Sequence, residues 1–501
     1  MTELLPFGVG AWFFISVYLC SLLLLGWLGF NARKEDTLQD FYLAGRGFGF
    51  FVLLLTLYAT QYSGNSVFGN SGATYRLGFS WLVCVHYMIA IIVFYLAYAP
   101  QIHLLASKRG YVTPADFLED RFASKGISLL TSVVMIIALS NYLLAQLMAM
   151  GRALQGLAGP LGDTAYNTGV LVLALIMLIY GTLGGMRAIA WTDAIQGCVL
   201  MIGFLVLLGL LWNQFGPLVA ATEKIASSAD AFKVERPSPG LMREWFSYIL
   251  VFGMGGALYP QAIQRAYAAR SGSILNKSLA AMAFMPFVTA LIAVIAGIYA
   301  LAYIPGLEGA ETDQVLSRLL RVIQEGSLLG YAVVVVIFSA VLAALMSTAD
   351  SAMMSISSMF TKDIYSIYIQ PEASNSELTK IGKFCSWALV SALIVIAILL
   401  KNHASLISLM DRKMDLLVQL VPAFMLSVHM SFLKKGPVFI GLIAGLMVSL
   451  CLAFGPFDFV VSGKVWGMHP GLIGLVVNIT IAIIGSLIQQ RAKFFLDQRA
   501  S

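Results

Sequence analysis

The sequence predicts an all-α polytopic membrane protein with about thirteen transmembrane helices, two of them broken near mid-membrane. Three observations carry that prediction. Of 501 residues, 59% are hydrophobic and only 11% charged, against about 25% charged in soluble proteins. The apolar residues gather in runs of roughly 18 or more, enough to cross a hydrocarbon core of about 30 Å. Two of those runs are interrupted by Gly, Pro and polar residues that a lipid-facing helix would not carry. The pattern excludes an ordinary soluble enzyme, a disordered scaffold and a collagen-like fibre.

The spans centre near residues 18, 60, 92, 140, 172, 202, 255, 289, 345, 391, 421, 445 and 477. The first follows Met1–Gly8, which holds no Lys or Arg. A secretory leader opens on basic residues and ends at a small-residue cleavage site, so a retained helix is expected. The second span runs through Thr56 to Gly72, with Gly64, Gly69 and Gly72 among Gln61, Ser63, Asn65 and Ser66. Two readings fit it: a helix unwound at mid-membrane, whose free carbonyls bind a cation, or close packing through small residues. The sixth span opens after Gly184-Gly185-Met186-Arg187 and carries Asp193. Asp193 either complements the helix dipole or faces the ninth span and serves cation passage.

The seventh span holds Gly253, Gly255 and Gly256 before Tyr259-Pro260. No strand precedes these glycines, so they are not a dinucleotide loop. This second break lies five spans after the first. Five is odd, so the two units run oppositely through the membrane, the mark of an inverted repeat around a binding site. In the ninth span Ser347, Ser351, Ser355 and Ser358 share one face, bordered by Thr348 and Asp350. Hydroxyls beside a carboxylate suit a hard cation such as Na⁺. Alternatively, the Ser hydroxyls bond back to their own helix, although an unpaired buried Asp350 is costly. At the outer end of the eleventh span, Asp411 and Asp415 flank Arg412 and Lys413 and read as local ion pairs, with an outer vestibule as the alternative. Arg152 reads as paired with a helix end or a headgroup. The Met residues read as packing.

The larger share of the 31 Lys and Arg falls on one side when the N-terminus is placed outside and the C-terminus in the cytoplasm, and that side is then internal. The net charge of +6 reflects basic loops against an anionic membrane surface, not nucleic acid. Five Cys in apolar runs are expected to be core residues and not a disulfide framework. The breaks near 214–240, 304–325 and 360–382 are too short for a soluble domain, so residues 1–501 read as one membrane domain.

At these residues the chain resembles the sodium:solute symporter family. The resemblance rests on Gly184-Gly185 with Trp191-Thr192-Asp193-Ala194-Ile195-Gln196, on Ala344-Leu345-Met346-Ser347-Thr348-Ala349-Asp350-Ser351, and on Gln264-Arg265. It runs from about Phe41-Tyr42-Leu43-Ala44-Gly45-Arg46 to Tyr365. It implies a LeuT-type five-plus-five inverted repeat. Spans 2–6 (about 40–185 plus 186–215) would form the first repeat and spans 7–11 (about 240–432) the second, with two further spans in 433–501. It implies a sodium site made by the carbonyls of Ala59, Tyr62 and Ala344 and the hydroxyls of Ser347 and Thr348. A second cation, as in some members, would take Asp193, Ser347, Asp350 and Ser351; Asp350 stands where those members place a hydroxyl, which also suits a proton site. Solute contacts implied by position are Gln61, Ser63, Asn65, Ser66, His86, Tyr142, Gln146 and Phe252. Tyr142 and Phe252 match aromatic positions of the similar bacterial sodium/proline symporter, which carries an acidic residue where this chain has Gln61.

The expected function is Na⁺-driven import of a small polar organic solute by alternating access, with an amino acid or monocarboxylate favoured. Sodium is the expected coupling ion, the bilayer and the solute the expected partners, and the cell inner (plasma) membrane the expected location. No obligatory protein partner is expected. A solute sensor on the same fold, a proton-coupled carrier and a channel are the other readings. Motifs for chemistry on the solute are absent from the sequence, so an enzyme is not expected.

Overall fold

The computed structural model describes residues 8–32, 37–157, 162–326, 328–401, 406–461 and 463–500. Helices dominate, because a backbone without water satisfies its polar groups within the segment. Helix α1 spans Val9–Asn31, α2 Leu38–Leu43, α3 Phe50–Gln61, α4 Gly64–Leu77, α5 Val83–Arg109, α6 Pro114–Phe122 and α7 Lys125–Leu157. Then come α8 (Gly162–Phe215), α9 (Leu218–Ala226), α10 (Pro239–Ala257), α11 (Pro260–Ala268), α12 (Gly272–Met282), α13 (Met285–Val288) and α14 (Ala290–Tyr303). The chain continues through α15 (Val315–Gly326), α16 (Leu328–Met359), α17 (Asn375–Leu399), α18 (Leu406–Leu417), α19 (Ser427–His429), α20 (Lys435–Phe454) and α21 (Pro470–Ala500). A two-stranded antiparallel pair, β1 (Val460–Val461) and β2 (Lys464–Val465), joins the last two helices.

Among the described residues, nine helices are long and apolar enough to span a membrane, ten with the bent pair α10–α11 taken as one. The expected count of thirteen is not reached by that measure, and the shortfall sits at identifiable places. The 54 residues of α8 are two helices, since the backbone leaves helical geometry at Gly185 (φ 62°, ψ −160°). A straight helix of that length would be about 80 Å long. A Cβ at residue 185 would stand 2.9 Å from the Phe41 carbonyl oxygen, so glycine serves both the turn and the close approach. The second expected span divides into α3 and α4. The eleventh is broken after α18 into short tight and wide turns, with Pro422 starting the last of them.

Burial ranks the helices. The most apolar stretch around α16 is 82% buried, against 22% for α1 and 28% for α17. The hydroxyl-rich α16 therefore lies at the centre, where its polar face meets protein. Peripheral α1 docks on α8 through small residues: a Cβ at Gly184 would be 2.7 Å from the Gly26 carbonyl oxygen. Such backbone contact is how helices associate without a hydrophobic drive.

Candidate functional site

Helix α3 ends because Tyr62 (φ −98°, ψ 70°) and Ser63 (φ −71°, ψ 159°) leave helical geometry. Ser63 then caps α4, its hydroxyl accepting the Ser66 amide at 3.1 Å. Opposite this break runs α16. The Thr348 hydroxyl lies 2.9 Å from the carbonyl oxygen of Ala59 and 2.9 Å from that of Ala344. One hydroxyl and two carbonyls from two elements thus converge in a fully buried spot, an all-oxygen donor set of the kind Na⁺ takes. Tyr142 reaches the same turn, donating to the Thr60 carbonyl at 3.4 Å, and Gln146 donates to Ser63 at 3.4 Å.

One turn away lies a buried charge network. Arg265 of α11 pairs with Asp193 at 2.8 Å, and neither side chain is exposed. Thr56 and Ser347 both donate to the Asp193 carboxylate. Arg265 also donates to Thr56 at 2.8 Å, to Ser351 at 2.5 Å and to the Gln261 carbonyl at 3.2 Å. Asp350 accepts from Tyr180 at 2.6 Å and from Ser351 at 3.3 Å. Helices α3, α8, α11 and α16 meet here with their polar groups bonded, as buried charges require.

Beside the break is a small cavity whose free volume is about 10 Å³, room for about one water. Gln61, Ser66, Tyr142, Phe252, Tyr259 and Lys413 are among its walls. Beyond it opens a cleft of about 520 Å³, walled by Trp81, Tyr248, Asp411 and Lys464 among others. Tyr87 and Phe252 line the small cavity and Tyr248 the cleft, with Phe252 4.8 Å from Tyr87 and 4.9 Å from Tyr248 between centroids. Behind Tyr248 sits His469, which bonds Ser247 at 2.6 Å and lies 3.6 Å from Asp411. Burial, then the neighbouring Lys464, pulls its imidazole down to about 4.

Comparison with known proteins decides what this arrangement belongs to. The Sodium:solute symporter family matches residues 41–445. The chain belongs to the sodium:solute symporter family. It is a sodium-coupled transporter of a small-molecule solute across a membrane. An osmoregulated proline transporter of Bacillus subtilis (strain 168) is 25% identical over 494 residues, covering 95% of this chain and 94% of that protein. A monocarboxylate transport permease of Rhizobium johnstonii is 24% identical, covering 94% and 96%. A solved structure of a Na⁺-coupled sialic acid symporter aligns with TM-score 0.78 at 17% identity, over 96% of this chain and 98% of that one. The symporter therefore has the LeuT-type fold that its motifs implied.

The symporter's expected site residues divide into groups. Ala59, Ala344 and Thr348 come together as one oxygen cluster, while Tyr62 ends α3 beside it with its ring 5.0 Å from that of Tyr58. Ser347 turns to Asp193. The proposed second-cation group of Asp193, Asp350 and Ser351 is joined by Arg265, whose guanidinium supplies the positive charge there. Gln61, Ser66, Tyr142 and Phe252 wall the cavity, and Ser63 and Gln146 bond to each other at its edge. His86 is a correction: it is exposed, bonds the Leu82 carbonyl and packs 5.7 Å from Trp245. Its neighbour Tyr87 takes the cavity position, because adjacent residues point about 100° apart on a helix. The side chain of Asn65 lies outside the described residues. Arg152 reaches a partner on another segment, Asp313.

Lys413 is the residue sequence reasoning missed. It is placed by α18, where Met410, Lys413, Met414 and Leu417 form one buried face. Asp411 instead reaches Lys464 at 3.0 Å and Asp415 pairs with Arg412 at 3.1 Å. The signal was a lysine in phase with the Met stripe.

Proposed function

We propose that this symporter imports a small polar organic solute, an amino acid or monocarboxylate, driven by Na⁺ bound between the end of α3 and the middle of α16. The carrying observation is Thr348, whose hydroxyl stands 2.9 Å from both the Ala59 and the Ala344 carbonyl oxygens. Sodium there would take the two carbonyls and the Thr348 hydroxyl, with Tyr62 and Ser347 beside it. It cross-links the broken span to its neighbour and orders the adjacent cavity, so ion and solute bind better together than apart. We assign one sodium per cycle, because the Arg265 guanidinium already occupies the space between Asp193 and Ser351. The termini follow the charge bias, N-terminus outside and C-terminus cytoplasmic, in the plasma membrane. The two inverted repeats are assigned to about 40–215 and 240–432. Each positive charge moved inward then gains about 2.3 kcal/mol per 100 mV.

The test is the melting temperature of the purified full chain in NaCl against KCl. Sodium is expected to raise Tm as RT ln(1 + [Na⁺]/Kd). Thr348→Val, alone and with Ser347→Ala, is expected to move the sodium midpoint roughly 10-fold or more. Equal responses to Na⁺ and K⁺, or an unchanged midpoint in both variants, would remove the ion-site assignment.

A further inference from the structure

The geometry points to an organic monoanion as the solute, bound through its carboxylate by Lys413. This deepens, and rests on, the symport reading above. Lys413 is 1% exposed. Among the described residues its ammonium has no hydrogen-bond partner. It lies over the ring of Tyr142, 3.4 Å from the centroid, and 5.2 Å from that of Tyr259. Ring faces attract a cation but accept none of the three hydrogen bonds an ammonium offers. Paired or hydrogen-bonded burial is the rule for a charge, and Lys413 breaks it while facing the cavity.

The neighbouring carboxylates cannot supply the missing charge. Asp411 is held by Lys464, and Asp415 by Arg412 and by the Gly471 amide at 2.8 Å. Neither lines the cavity, and no Asp or Glu does among the described residues. The walls therefore carry one unpartnered amine and no carboxylate. A carboxylate neutralises it through charge-assisted hydrogen bonds. A zwitterionic amino acid would add an ammonium with nothing to meet it, in a setting where like charges repel strongly. Gln61 and Ser66 can bond a hydroxyl or carbonyl on the solute, while Met88, Ile91 and Phe252 suit a short carbon chain. The solute class is thus a small hydroxy-, oxo- or alkyl-carboxylate.

The experiment is a thermal-shift panel on the full chain in NaCl and in KCl. The probes are acetate, propanoate, lactate, pyruvate and benzoate, with propanamide and lactamide as uncharged counterparts and L-proline as a zwitterion. At least one carboxylate is expected to raise Tm in NaCl while its amide does not. Lys413→Met is expected to weaken that carboxylate roughly 10- to 100-fold, with the shift from Na⁺ alone retained as proof of folding. Lys413→Arg is expected to keep part of the response. The acid-to-amide comparison stands even where a variant fails to fold. The proposal is overturned if an amide matches its acid, if proline shifts Tm and no carboxylate does, if no carboxylate in the panel shifts it, or if Lys413→Met binds the carboxylate normally. Carboxylate binding that needs Lys413 but is equal in NaCl and KCl would sink the symport reading and leave the anion site standing. A shift from Na⁺ alone, with none from any carboxylate, would do the reverse.

Discussion

Neutralising Asp193 should destabilise the protein strongly, and the reason lies in its partner. Asp193→Asn keeps shape and some hydrogen bonds but removes the charge facing Arg265, which is fully buried 2.8 Å away. The guanidinium then keeps bonds to Thr56, Ser351 and the Gln261 carbonyl, all neutral. Breaking one side of a buried ion pair costs about 3–5 kcal/mol. Arg265→Met should cost a similar amount, by stranding the carboxylate among Thr56 and Ser347. The double variant removes both charges, and replacing a buried pair with apolar groups is often nearly neutral. The assay is a double-mutant cycle on thermal melts of the four full-length chains, followed by intrinsic Trp fluorescence. Both single variants should melt below the wild type, and the double variant should melt above the worse single one, with a coupling of at least about 1 kcal/mol. Additive losses, or single variants that melt like the wild type, would refute the view that each charge exists here to neutralise the other.

Two further outcomes follow from other parts of the fold. His469 titrates near 4 in the folded protein, below the unfolded value of about 6.5. The unfolded chain therefore takes up the proton first. This stability is complete above about pH 6.5 and is lost as pH falls toward 4, amounting to about 2 kcal/mol at pH 5. Melts at pH 7.5 and 5.0 should show a smaller drop for His469→Gln than for the wild type; equal drops would remove the buried neutral imidazole from the explanation. Gly297→Ala should also lower Tm, by an overpacking cost of about 1–3 kcal/mol. Its Cβ would fall 2.5 Å from Thr74 Cβ and 2.6 Å from the Ser71 carbonyl oxygen. An unchanged melt would contradict the close crossing of α14 over α4.

Local composition made the broken spans legible. Gly64 and Ser63 interrupt an apolar run where nothing but unwinding or close packing makes sense, and the break falls at Tyr62-Ser63. The hydroxyl face of α16 was legible from period alone, since i, i+4 spacing needs no partner to be recognised. What escaped was long-range or a matter of phase. Arg265 stood in a recognised motif, but its partner Asp193 is 72 positions away, and no local rule joins them. His86 and Tyr87 differ by one position, which decides between an exposed site and the cavity once the helix rotation is fixed. Lys413 was hidden by its neighbours: four charges within five residues look like a solvated helix end, while the third of them faces the cavity beside Met410 and Met414.

The stack of Tyr87, Tyr248 and Phe252 has a kinetic consequence. On that side of the cavity the contacts are ring to ring, made by side chains of two helices, α5 and α10. Rotamer changes take nanoseconds or less when unhindered, whereas collective helix rocking takes microseconds to milliseconds. All three rings are buried, so their reorientation is tied to the packing of α5 against α10 and falls in the slower class.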